Sequence, residues 1–212
     1  MTDIVDILRH ELGDEAILSR AEVALRATSY WDNAPMKAKA LIRPRTTQDV
    51  STTLKICHAH NQPVITQGGN TSCVQGTQSR HDDIILSLER MNKIVDIDPL
   101  ANTATFQAGV ILENAQNAVQ AKGLFLPLDL GARGSCTIGG NMATNAGGIN
   151  VLRYGMARSI VLGLEAVLAD GTIISSLNKM LKNNAGYDLK HLFIGSEGTL
   201  GVITHVIIRL MP

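Results

Sequence analysis

The chain has 212 residues and a mass of 22.7 kDa; 45% are hydrophobic and 18% charged, which suits a sizeable core and excludes a disordered chain. Nineteen basic and nineteen acidic residues cancel, whereas a domain built for nucleic acid or an anionic membrane carries a basic surplus, so neither partner is expected. No apolar run reaches the roughly 18 residues of a membrane-spanning helix, and Met1 to His10, with Asp3 and Asp6, lacks the apolar centre of a secretory signal.

Residues 2–26 read as helical, with Ile4, Ile7, Leu8 and Leu12 on one face and a second turn or helix from Ala16 to Leu25. Tyr30-Trp31-Asp32-Asn33 breaks the pattern, and Pro35 marks a loop. Ala38 to Ile42 is a short strand stopped by Pro44. Thr46 or Thr47 caps a helix to about His60, buried along Val50, Leu54 and Cys57, with Asn61 at its exit. Val64-Ile65-Thr66 and Ile84 to Ser87 are short buried strands. Lys93 to Asp98 and Thr103 to Gln107 form a hairpin through Pro99 to Asn102. Ile111 to Ala121 is an amphipathic helix closed by Lys122-Gly123. Pro127 to Gly155 is irregular. Val161 to Ala169 and Thr172 to Ser175 flank Asp170-Gly171, a hairpin signal, and Gly201 to Leu210 is a last strand. Helices with parallel-type strands come first and hairpins later. That order predicts an α+β fold of two subdomains, residues 1–90 and 91–212.

Cys57, Cys73 and Cys136 form no CxxC pair and no zinc spacing. Three unpaired thiols predict a reducing compartment, and the cytoplasm is the expected location. Cys73 and Cys136 read as small packing residues. His58 and His60 point apart on a helix and share no metal.

Glycine is clustered. Three fall between Gly68 and Gly76, six between Gly131 and Gly148, and three between Gly195 and Gly201. Such clustering brings backbone close to a ligand. In the first cluster a strand ends at Thr66 and turns through Gln67-Gly68-Gly69-Asn70-Thr71-Ser72. Consecutive N–H groups there make a nest for phosphate oxygens that needs no lysine. The Walker A lysine is missing, and the spacing from Gly68-Gly69 to Gly76 is not the GxGxxG of a Rossmann turn. By itself this loop leaves a plain surface turn open.

The segments together resemble the FAD-linked oxidases of the vanillyl-alcohol oxidase, or PCMH, type. Pro63 to Ser72 is similar to their pyrophosphate loop. Pro127-Leu128-Asp129-Leu130-Gly131, Gly134 to Asn141 and Thr144 to Gly148 are similar to their second flavin segment. Gly186 to Leu189 and Ile194 to Thr204 are similar to their third. PLDLGARGSC and GYDLKHLFIGSEGTLG resemble most the branch that holds the D-2-hydroxyglutarate and D-lactate dehydrogenases.

The resemblance implies a non-Rossmann fold with FAD between two α+β subdomains. It implies that Gln67, Gly68, Gly69, Asn70, Thr71 and Ser72 wrap the pyrophosphate. Gly134, Ser135, Thr137, Gly139 and Gly140 would bring a helix N-terminus to the flavin and phosphates. Thr144, Asn145, Ala146 and Gly147 would line the flavin ring, and Pro127 would stiffen the approach to it. Gly198, Gly201, Val202 and Ile203 would set strand backbone against the adenine, ribose or ring edge. Relatives that bind flavin covalently do so through a histidine in or near the first loop; GGNTSCVQG has none, so FAD is expected to be non-covalent.

The implied chemistry oxidises a D-2-hydroxy acid to the 2-oxo acid, with hydride passing to the flavin and a base taking the hydroxyl proton. The resemblance places that base, a metal-binding His/His/Glu set and a carboxylate-binding Arg in a cap domain after Pro212. Arg133, Arg153 and Lys190 fall near flavin motifs, but none is assigned, and neither a catalytic residue nor a metal ligand is expected here. The chain is therefore expected to bind FAD and to turn over no hydroxy acid alone. The alternative is the FAD-binding subunit or module of another FAD-linked oxidase, inactive without its partner. The sequence chooses no electron acceptor, and it leaves the oligomeric state open, a homodimer included.

Overall fold

The computed structural model describes residues 3–212. Helix α1 (Ile4–Leu12) starts at Asp3, whose side chain accepts the Val5 N–H, and buries Ile4 and Leu8. It ends at Gly13, whose φ of 85° lies in the left-handed region that glycine adopts freely. This stop corrects the helical reading of 2–26, of which Thr2 lies outside the described residues. A 3₁₀ turn (Asp14–Ala16), strand β1 (Ile17–Ser19) and a single-turn helix α2 (Arg20–Val23) follow instead. Ser19 and Glu22 form a reciprocal capping box at α2.

Strands β2 (Ala40–Ile42), β3 (Val64–Gln67) and β4 (Ile84–Ser87) join β1 in a four-stranded sheet ordered β1-β2-β4-β3. The pairs β2/β4 and β3/β4 are parallel, and β1 is antiparallel to β2. Helix α3 (Thr47–Ala59) is the crossover between β2 and β3, and Thr46, not Thr47, is its cap, boxed with Asp49. Val50, Leu54 and Cys57 are buried on it, as their spacing predicts, and pack with α1 beneath the sheet.

The second sheet is wholly antiparallel: β5 (Ile94–Asp98), β6 (Thr103–Gln107), β7 (Val161–Val167), β8 (Ile173–Ser176) and β9 (Val202–Arg209), in the order β5-β6-β9-β7-β8. Both predicted hairpins form. At the second, Gly171 has φ 87° and Asp170 accepts the Thr172 N–H, which is why Asp-Gly is read as a turn. The last strand, β9, enters between β6 and β7 and joins the two hairpins. Helix α4 (Leu112–Gln120) and the short helix α5 (Ile138–Ala143) bury their apolar faces against this sheet.

The stretch 127–155 is less irregular than predicted, because it holds α5 and the single turn α6 (Val151–Tyr154); α7 (Ala157–Ile160) and α8 (Lys190–Phe193) are single turns beyond it. Two consecutive glycines argue against a helix at 138–143. Tertiary packing overrides that preference: a Cβ on Gly139 would run into Ala108.

The sheets meet through α3. Thr47 Oγ1 donates to Glu165 Oε1 on β7 at 2.6 Å, and Ser51 Oγ donates to the Gly171 carbonyl at 2.5 Å. Glu165 also receives Thr204 Oγ1 at 2.8 Å and faces His205 Nδ1 at 2.9 Å, both on β9. These bonds, from His205 foremost, pull the Glu165 carboxyl down to about 2 against the opposing effect of burial. The α+β class is as predicted, a mixed sheet with its helices followed by an antiparallel one. Among the described residues no helix is long and apolar enough to cross a membrane.

Candidate cofactor site

The site begins at the carboxyl end of β3, where parallel strands present their following loops to ligands. Gln67 ends the strand and its Nε2 donates to the Thr77 carbonyl at 2.9 Å. Three residues on, Asn70 adopts φ 55°. Its Nδ2 donates to the Thr28 carbonyl at 2.7 Å, its Oδ1 accepts from Thr77 Oγ1 at 2.7 Å, and its own carbonyl accepts the Tyr30 N–H at 3.2 Å. Asn70 thus shapes the loop from inside. Around it the N–H groups of Gly69, Asn70, Thr71 and Ser72 meet no acceptor among the described residues, which is the condition for an anion nest.

Across from this loop lie Gly134 to Thr137 and α5. A Cβ on Gly68 would sit 2.6 Å from Thr137 Oγ1, and one on Gly69 would run into the Ser135 carbonyl oxygen. These glycines let two segments of backbone abut. The expected helix N-terminus is corrected here. The N–H of Ile138 donates to the Val110 carbonyl at 2.8 Å, that of Gly139 to the Ala108 carbonyl at 2.7 Å and that of Gly140 to Thr137 Oγ1 at 3.3 Å. The donors that open α5 are spent inside the protein, and Ser135, Thr137, Gly139 and Gly140 line the cleft without a free helix N-terminus.

The cleft has two connected chambers. The inner one is small, with a cavity volume of about 100 Å³, and the outer one, at about 730 Å³, lies within the roughly 300–1,000 Å³ of ligand pockets. Thr66, Leu88, Gly139, Gly198, Gly201, Val202 and Ile203 line it. The outer one is lined by Tyr30, Trp31, Gly69 to Cys73, Leu130 to Ala132, Gly134 to Thr137, Asn141 and Ala146. Gly68, Ser72, Gly140 and Thr144 line both and so join them.

Four predicted residues stand back from both chambers. Pro127 is buried beside Leu126 and Leu128. Asn145, at φ 48°, accepts the Arg158 N–H at 3.0 Å. Gly147 faces Val151, which a Cβ would approach to 3.1 Å. Gln67 opens instead onto a polar recess behind the loop. There Arg26 grips Glu89 through bonds of 2.7 and 3.0 Å, and although burial opposes it, the Arg26 and Arg43 guanidiniums hold the Glu89 carboxyl below its usual range.

Asn141, which closes the GGN run of the second segment, is a site residue that sequence pattern alone does not single out. It is 4% exposed, lines the outer chamber, and its Nδ2 has no partner. An orphaned buried donor in a cleft is costly unless a ligand accepts from it. Together with the unpaired loop amides, Asn141 makes a neutral donor set that fits FAD, with its acceptor-rich pyrophosphate and flavin. Tyr30 and Trp31 left no sequence signal beyond a loop.

The remaining candidates are otherwise engaged. Burial pushes the Cys57 thiol up to about 12 and raises that of Cys136, so neither is a ready nucleophile. Cys73 is exposed on the nest loop rather than packed. Arg133 pairs with Asp129 at 3.1 Å, Lys190 pairs with Asp188 at 2.5 Å, and Arg153 lies over the Tyr154 ring. Among the described residues no group of three His, Cys, Asp or Glu is placed to hold a metal.

Comparison with known proteins bears on this cleft. The FAD binding domain family matches residues 38–176. The chain is 54% identical over 175 residues to the mitochondrial D-2-hydroxyglutarate dehydrogenase of Bos taurus, covering 82% of this chain and 32% of that protein. It is 40% identical over 209 residues to the glycolate oxidase subunit GlcD of Bacillus subtilis, covering 99% of this chain and 44% of that one. Its fold superposes on p-cresol methylhydroxylase with a TM-score of 0.79 at 24% identity, over 99% of this chain and 43% of the other. The chain thus spans about a third of the cattle relative's length.

The cytoplasmic expectation is overturned, because relatives from cattle, rice, rat and fission yeast are named as mitochondrial proteins. Free thiols mark a reducing compartment and do not separate a cytosol from a mitochondrial interior. The PCMH-type fold, the glycine-lined cleft with its unpaired donors and the match over residues 38–176 agree: the chain belongs to the FAD binding domain family, and its cofactor is FAD.

Proposed function

We propose that the chain is the cofactor-holding part of a flavin-dependent D-2-hydroxy-acid dehydrogenase, acting on a 2-hydroxyglutarate- or lactate-like acid. The observation that carries this reading is the nest of unpaired amides at Gly69 to Ser72 beside the orphan Asn141 donor. It is supported by the 54% identity to the cattle enzyme. FAD, when bound, supplies the hydride acceptor.

The amides of Gly69, Asn70, Thr71 and Ser72 bind the pyrophosphate. Gly68, Gly139 and Gly140 keep loop and helix close enough for it to pass between the chambers. Gly198, Gly201, Val202 and Ile203 orient the adenosine side through an apolar wall and exclude water there. Gly134, Ser135, Thr137, Thr144 and Ala146 bound the flavin side. Pro127, Gln67, Asn145 and Gly147 act from behind as positioning residues. The cofactor lies between subdomains 1–90 and 91–212 and is held without a covalent bond, in keeping with two chambers that no histidine lines among the described residues. The base and the cations for the substrate carboxylate belong to protein beyond this chain. The B. subtilis relative, named as a subunit, favours a second reading in which a partner chain supplies them.

A visible spectrum of the purified chain, then of the filtrate after denaturation, tests the site. A flavin band that moves into the filtrate is expected. A folded chain that is colourless and takes up no added FAD would overturn the reading.

A further inference from the structure

The aromatic pair Tyr30–Trp31 has no role in the fold that explains it. Each residue is 66% exposed, and Trp31 is the one tryptophan of the chain. Apolar rings of this size are ordinarily buried. Yet the loop that carries them is tightly built. The Thr28 N–H donates to the Ala34 carbonyl at 2.9 Å, the Ser29 N–H donates to the Asp32 carbonyl at 3.1 Å, and Ser29 Oγ accepts the Trp31 N–H at 3.2 Å. Asn70 of the nest loop grips it from the other side, through Thr28 and Tyr30. Tyr30 then props Trp31 edge-on, with ring centroids 5.0 Å apart at 79°. Both rings line the outer chamber, as do Leu130 and Ala132.

We propose that Trp31 is an aromatic wall for the flavin ring of FAD, a role that rests on the cofactor reading above. Gly69 to Thr71 of the nest line the outer chamber and Ser72 lines both, so the ring next to the nest lies in the outer chamber. The ring that exchanges hydride must be reached by substrate, and the outer chamber is the one with room for both, at about 730 Å³ against about 100 Å³. A flat indole offers a π-face to a flat heterocycle and shields it from water, an interaction that base–aromatic pairs use widely. Asn70 joins this wall to the nest, so that ring and pyrophosphate are received by one connected unit.

The test compares FAD binding by the purified chain, W31F and W31A, read by ultrafiltration and by flavin fluorescence, with acrylamide quenching of Trp31 in the unaltered chain. W31F is expected within about twofold of the parent and W31A roughly tenfold weaker. Flavin emission is quenched in the parent and in W31F and recovers in W31A, a readout that a merely structural role would not move. Acrylamide access to Trp31 falls severalfold when FAD saturates the chain. Equal affinity and equal emission in W31A, or unchanged acrylamide access, would overturn the proposal and leave the cofactor site standing. Failure of the parent itself to retain FAD would overturn both.

Discussion

Gly69 offers the sharpest test of how the cleft is built. An alanine Cβ at this position would occupy the place of the Ser135 carbonyl oxygen and lie 2.9 Å from Cys136 Cα. Backbone cannot swing aside as the tip of a side chain can. The Ser135 and Cys136 N–H groups both donate to the Ala132 carbonyl, at 2.9 and 2.8 Å, and the Cys136 carbonyl accepts the Leu112 N–H at 3.0 Å. Relieving the clash therefore strains the loop or breaks one of these bonds. Overpacking costs roughly 1–3 kcal/mol and a lost hydrogen bond about 1 kcal/mol, so G69A is expected to destabilise by roughly 2–4 kcal/mol. For a chain of this size that is a fall in Tm of about 5–15 °C. Gly131 is the matched control, since a Cβ there meets nothing within 4 Å and G131A should melt within about 2 °C of the parent. Thermal unfolding followed by circular dichroism, with FAD uptake measured on the same samples, decides it. G69A melting with the parent and taking up FAD equally would refute the claim that this glycine exists for loop-to-loop approach.

Two further outcomes follow from the charges and thiols. The Glu165 carboxyl is held at about 2 in the folded chain, against 4.5 ordinarily, so its stabilisation is present above pH 4.5 and lost as pH falls toward 2. E165Q should cost roughly 2–3 kcal/mol at pH 7 by urea denaturation, and the gap to the parent should narrow by pH 3; a gap equal at both pH values would show that the hydrogen bonds to the ionised carboxylate contribute nothing. Of the three thiols, only exposed Cys73 should react quickly with a disulfide reagent, because Cys57 and Cys136 are buried. C73S should abolish the fast phase and FAD should slow it in the parent; fast labelling that ignores FAD would place Cys73 outside the occupied cleft.

Much of this architecture is legible in the sequence where local chemistry and tertiary demand agree. Thr46 with Asp49, the Val50/Leu54/Cys57 stripe and Asp170-Gly171 each specify their element by short-range rules. Legibility fails where a distant contact decides. Gly139-Gly140 looks like a helix breaker until Ala108 is seen against it. Ile17 to Ser19 pairs with Ala40 to Ile42 across some twenty residues, and no local pattern announces that. The three glycine clusters do point to one cleft. Their composition could not reveal that α5 spends its opening N–H groups on Val110 and Ala108, or that Pro127 stands behind the wall. Asn141 was within the motif but hidden by the glycines beside it, and its meaning depends on a missing partner, which only three dimensions display.

The position of β9 bears on the order of assembly. Residues 64–87 can pair as soon as they are made, because β3 and β4 are neighbouring strands joined by one loop. The antiparallel sheet cannot close in the same way. Its two hairpins, β5–β6 and β7–β8, share no edge until Val202–Arg209 slides between them. Such late, long-range pairing is the slow kind. Val202 and Ile203 are also one wall of the inner chamber. On a ribosome, therefore, the nest loop emerges more than a hundred residues before Val202 and Ile203, and the inner chamber lacks a wall until β9 arrives. Cofactor capture then reports that this sheet is complete, and free FAD acts as a ligand that favours the closed sheet over chains not yet carrying β9.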